Sequence, residues 1–95
     1  MKYNFQLESN PRSEHYNTLT IFIDGVNKTQ EGSIEKLVGR PVEDFVKVFP
    51  KAIDSVKGED LRLAVVARNK KNKSLRLWFA HSREDDVNLS DLLSL

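Results

Sequence analysis

Two neighbouring stretches decide the fold: "DLRLAVVAR" at 60–68 and "SLRLWFAHS" at 74–82. Each is an apolar run of strand length, rich in β-branched or aromatic residues, and "NKKNK" at 69–73 joins them. Asn and Lys suit a solvated turn, so the pair predicts a β-hairpin. Outward toward the N-terminus, "KYNFQLE" at 2–8 alternates strictly, with Tyr3, Phe5 and Leu7 on one side and Asn4, Gln6 and Glu8 on the other. "TLTIFIDG" at 18–25 does the same through Leu19, Ile21 and Ile23. Between them "NPRSEHYN" is turn chemistry, so these strands predict a second hairpin.

The middle of the chain has a different period. "VNKTQEGS" at 26–33 reads as a polar loop whose Ser33 could cap a following helix. From Ile34 the apolar positions are Leu37, Val38, Val42, Phe45, Val46, Phe49, Ile53 and Val56, and steps of three and four trace one helical face. Pro41 suits a first helical residue, Pro50 must bend or restart a helix, and Lys57-Gly58 is a stop. The spacing predicts a helix over about 41–57, bent near Pro50. "EDDVNLSDLLSL" at 84–95 predicts a short closing helix bearing Leu89, Leu92 and Leu93.

The element order is therefore β-β-α-β-β-α. The expected fold is α+β: a four-stranded antiparallel sheet with one long bent helix packed on one face, in a single domain over 1–95. A strand order of 2-1-3-4 keeps every neighbour antiparallel and centres the 61–67 strand. Placing strand 2 beside strand 3 is the alternative.

Strand parity sorts residues onto two faces. Tyr3, Phe5, Leu7, Leu19, Ile21, Ile23, Leu61, Leu63, Val65, Ala67, Leu75, Leu77 and Phe79 form the expected core face. The other face gathers Asn4, Gln6, Thr18, Thr20, Phe22, Arg62, Ala64, Val66, Arg68, Arg76, Trp78 and Ala80. Most of that face is polar, yet Phe22, Val66 and Trp78 are apolar, with arginines around the tryptophan. Either Leu89, Leu92 and Leu93 cover this trio, or it is a docking surface, since Trp and Arg dominate interface energetics.

Composition narrows the function classes. With 15 basic and 14 acidic residues the net charge is +1, so no global field draws the chain to nucleic acid or membrane. Any electrostatic function is local, and Arg68, Lys70, Lys71, Lys73 and Arg76 are the densest cluster. These could meet phosphates while Phe22 and Trp78 stack bases. The preferred reading is a soluble turn, where lysine also blunts strand pairing. There is no cysteine, no signal-peptide-like start and no apolar run of bilayer length, so a cytoplasmic protein that does not engage membrane is expected.

Enzyme chemistry finds little purchase. His15 lies in a turn and His81 at a strand end, and neither has a partner at metal-ligand spacing. His81 with Asp85 or Asp86 could form a base pair of residues, but no nucleophile stands beside it. The glycines mark turns rather than a phosphate loop. No catalytic residue, metal or cofactor is assigned. The expected function is a small non-catalytic binding or regulatory protein, of the inhibitor or immunity type, acting on a protein partner or by self-association. Its candidate binding residues are Phe22, Arg62, Val66, Arg68, Lys70, Lys71, Lys73, Arg76 and Trp78. The alternative is a nucleic-acid-binding accessory protein using the basic 68–76 hairpin and Trp78.

Overall fold

The computed structural model describes residues 2–71 and 74–81. Strands β1 (Lys2–Leu7), β2 (Leu19–Asp24), β3 (Leu61–Arg68) and β4 (Leu75–His81) form one sheet in the order β1-β2-β4-β3, every neighbouring pair antiparallel. Both hairpins form as the alternation predicts. The strand order does not follow the expected 2-1-3-4, nor is β2 beside β3: β4 inserts between them, so the connection from β2 to β3 passes over one strand. The reason is visible in "LWFA" at 77–80. Trp78 and Ala80 on one face and Leu77 and Phe79 on the other are all buried. A strand buried on both faces is hydrophobic without alternation and belongs at the centre. β3 carries arginines at Arg62 and Arg68 and takes the edge.

One long bent helix is not what covers the core face. The layer is built from α1 (Lys28–Glu35), a short 3-10 helix (Val42–Phe45) and α2 (Pro50–Asp54), with turns between them. Pro50 explains the break. The residue before a proline is pushed out of the α region, and Phe49 sits at φ −129, ψ 62. Pro50 then starts α2, where its missing N–H is no loss. The apolar spacing nonetheless identified the right side chains. Val42, Phe45, Phe49, Ile53 and Val56 are all buried against the sheet, whereas Val46 stays exposed. Successive steps of three and four residues present 42, 45 and 49 to the same side nearly as a helix would.

The polar stretch expected to be a loop is α1. Asn27, not Ser33, is its N-cap: the Asn27 side chain accepts from the Gln30 N–H at 2.8 Å, and the Gln30 side chain accepts from the Asn27 N–H at 3.0 Å. This capping box holds a helix that buries no residue fully, which is why no apolar period announces it. The core face unites Leu19, Ile21 and Ile23 of β2, Leu61 and Leu63 of β3, and Leu75, Leu77 and Phe79 of β4. Phe45 meets Phe79 edge to face at 5.0 Å, and Phe49 meets Tyr3 at 4.9 Å. The expected closing helix with Leu89, Leu92 and Leu93 lies outside the described residues.

Candidate functional site

The second face of the sheet is organised by one irregularity in β3. Leu63 stands opposite Phe79 and Val65 opposite Trp78, leaving Ala64 bulged between them. An extra residue inverts the parity of everything after it. Val65 therefore packs beside Trp78, while Val66 faces Leu77 and joins the main core. Val66 is thus not part of the Trp78 face, contrary to strict alternation.

Arg68 is displaced by the same inversion. Its Nε donates to Glu31 Oε2 of α1 at 2.9 Å and a terminal nitrogen donates to the Val26 carbonyl at 2.8 Å, with side chains 25% and 19% exposed for Arg68 and Glu31. This charged pair ties the end of β3 to the start of α1, a fold-holding role rather than the expected ligand contact. Arg68→Ala should lower folding stability by about 1–3 kcal/mol. Arg68→Lys should recover little, because a single ammonium cannot serve both acceptors in that fork geometry. Urea denaturation at fixed pH distinguishes these outcomes from a variant as stable as the wild type.

Phe22 and Arg76 do come together, as opposed residues of β2 and β4, and Thr20 stands opposite Trp78. They border a groove of about 380 Å³ whose other walls include Gln6 of β1, Glu8 just beyond it and His15 of the turn that follows. Phe22 and Arg76 are partly buried, whereas Trp78 is only 4% exposed. The indole N–H donates to Thr18 Oγ1 at 3.3 Å, and the Thr18 hydroxyl donates to the His15 carbonyl at 2.7 Å. The His15 ring stands edge-on to the indole, centroids 5.2 Å apart. Trp78 thus forms the floor of the site and is itself covered, at least in part, by the turn before β2. His15 Nδ1 is buried without a hydrogen-bond partner among the described residues, a polar demand that is costly to leave unmet.

The remaining candidates lie elsewhere. Arg62 shares the second face but stands opposite Ala80 and does not line the groove. Lys70 and Lys71 are exposed at the hairpin tip, where the Lys71 N–H bonds to Asn69 Oδ1 at 2.9 Å and the Asn69 N–H to the Ser74 carbonyl at 2.9 Å. That is an Asx-type turn, as the composition suggests. Lys73 lies outside the described residues.

His81 has a carboxylate neighbour, but not Asp85 or Asp86, which lie outside the described residues. Its Nδ1 is 4.0 Å from Glu59, while its Nε2 lies 2.9 Å from the Tyr16 carbonyl. A carbonyl only accepts, so Nε2 carries the proton and is engaged in bracing the turn. Glu59 Oε1 also accepts from Asn17 at 3.2 Å, extending the brace. Among the described residues no three His, Asp or Glu side chains gather into a metal-binding group, and no helix is long and apolar enough to cross a membrane. Compared with known proteins, the chain matches no family model, no curated protein and no solved structure.

Gln6, Glu8 and Thr20 line the groove on the face parity gives them although the sequence did not single them out, whereas His15 and Val65 are groove residues that sequence reasoning places elsewhere. A turn histidine that meets a strand residue so distant in sequence leaves no periodic signal. The small Ala64 is the only hint of a bulge, and a weak one.

Proposed function

We propose that this chain is a non-catalytic binding protein of the cytoplasm that captures a protein partner in the groove of the second sheet face, as small inhibitors and immunity-type proteins do. The supporting observation is the convergence of an aromatic ring and a guanidinium, Phe22 and Arg76, with polar walls from Gln6, Glu8 and Thr20. Aromatic and arginine side chains ringed by polar groups are the composition of interface hot spots. The groove volume of about 380 Å³ suits one or two inserted side chains of a partner.

Two features weigh against the nucleic-acid alternative. Trp78 is buried and so offers no stacking face, and Arg68 is committed to Glu31. The experiment is capture from the native cell with and without nuclease, comparing wild type with Phe22→Ser, Arg76→Glu, and a triple change of Lys70, Lys71 and Lys73 to Ser. One nuclease-resistant protein retained by wild type and by the triple variant, but lost by the groove variants, is the expected result. Recovery that disappears with nuclease or with the triple variant would transfer the function to the hairpin tip.

A further inference from the structure

The sheet has two edges, and they are treated differently. β3 carries the Ala64 bulge, and a strap runs along it. The Gly39 N–H donates to the Leu63 carbonyl at 2.7 Å, the Leu63 N–H donates to the Arg40 carbonyl at 3.0 Å, and Pro41 bridges to Arg62. Gly39 makes this close approach at φ +94, a conformation glycine adopts freely. Bulges, covering loops and prolines are the standard ways of closing an edge to further pairing. β1 has none of these. It pairs with β2 without a bulge, has no proline, and no described residue pairs with its outer side. Phe5, which shares the parity of the core face, remains 39% exposed there.

Which groups face outward follows from the inner pairing. The Glu8 N–H donates to the Thr18 carbonyl at 3.0 Å and the Glu8 carbonyl accepts from Asn17 at 2.8 Å, so the even positions point their backbone groups at β2. Antiparallel strands alternate in this respect, so Tyr3, Phe5 and Leu7 direct their N–H and C=O groups to the open edge.

We propose that this edge is occupied by a second copy of the chain, β1 pairing antiparallel with itself about a two-fold axis through Phe5. The sequence "KYNFQLE" is complementary to its own reverse in that register. Phe5 meets Phe5 of the second copy, Tyr3 meets Leu7, Asn4 meets Gln6, and Lys2 meets Glu8. Phe5, Tyr3 and Leu7 then exchange backbone hydrogen bonds, which are the groups left open. Asn4 with Gln6 and Lys2 with Glu8 fall at the closer, non-hydrogen-bonded positions on the second face, where opposite charges stabilise a cross-strand pair. Glu8 keeps one oxygen on the Asn10 N–H at 3.1 Å, leaving the other for Lys2. Sliding two residues either way loses the charge pairing, leaving Lys2 opposite Gln6 or Asn10. An isologous contact of this kind closes as a dimer and does not propagate. Because its axis is normal to the sheet, both grooves lie on one side of the joined sheet. The inference stands on the edge alone and does not depend on what the groove binds.

Sedimentation equilibrium of the full chain tests it, with a charge-reversal cycle as the register-specific readout. Wild type should dimerise. Lys2→Glu and Glu8→Lys should each weaken the dimer by about tenfold, since two attractive pairs become repulsive. The double variant should restore wild-type affinity. Phe5→Lys, which removes no β1–β2 backbone bond and sets two ammonium groups face to face, should be a folded monomer by circular dichroism. A wild type still monomeric at about 1 mM, which bounds the affinity as negligible, would overturn the proposal. So would a dimer that ignores Phe5→Lys, or whose double reversal is no tighter than either single one.

Discussion

Phe79→Ala should remove about 3–5 kcal/mol of folding stability, the range for deleting a fully buried aromatic ring. Phe79 is entirely inaccessible and lies on β4, hydrogen-bonded to β2 on one side and β3 on the other. Leu19 and Leu63 are its cross-strand neighbours, and the Phe45 ring stands edge-on at 5.0 Å. A strand held on both sides cannot slide inward to fill the space, so most of the cavity persists. Aromatic edge-to-face contact is lost in addition, worth about 0.5–1.5 kcal/mol beyond the buried area. A domain of this size has on the order of 5–10 kcal/mol in total, which places the variant near the folding threshold. Urea titration measures it. A loss below about 1 kcal/mol would mean that the 3-10 helix bearing Phe45 does not seat on β4.

The sequence carries the strands well and their surroundings poorly, for identifiable reasons. Period-two alternation located β1 and β2, where burial on one face is what alternation records, and apolar runs of strand length located β3 and β4. The 42–56 apolar spacing identified the side chains that cover the sheet but mistook their backbone, since a chain of 3-10 and α turns broken at Pro50 presents nearly the same face as a helix. α1 went unseen because its stability comes from the Asn27–Gln30 cap and the Glu31–Arg68 pair rather than from an apolar stripe. The strand order was legible in part: "LWFA" in β4 carries the mark of a doubly covered strand, although the longer run in β3 competes with it. The candidate site suffered most from the bulge at Ala64. Only the small Ala64 in "LRLAVVAR" hints at an extra residue, and that residue alone exchanges Val65 for Val66 and sends Arg68 to the opposite face. Three of the nine expected site residues, Phe22, Arg76 and Trp78, lie on strands paired with each other without such an irregularity and come together as parity requires.

What Trp78 is for can be decided by substitution. Buried at 4% exposure, it is packed by Ala64, Val65, Ala80 and the His15 ring, and its N–H is taken by Thr18. Those contacts make the indole the centre of a second, smaller core on the groove side of the sheet. Trp78→Ala should therefore cost about 3–5 kcal/mol, comparable to a substitution in the main core. Trp78→Phe keeps most of the apolar bulk and gives up the hydrogen bond, so about 1–2 kcal/mol is expected from the lost bond and the smaller ring. Thr18→Val tests the bond from the other side: the indole N–H stays buried without its acceptor, and about 1–3 kcal/mol should be lost. Trp78 is the only tryptophan, so its fluorescence reports the site directly. Emission should be blue-shifted in the folded wild type and move to the red across the same urea transition that circular dichroism follows. If the indole serves the fold, Trp78→Phe remains folded and captures the same partner as wild type, while Phe22→Ser stays folded and does not. If Trp78→Phe instead keeps its full stability and loses capture, the ring touches the partner itself, and the groove must open to its floor on binding.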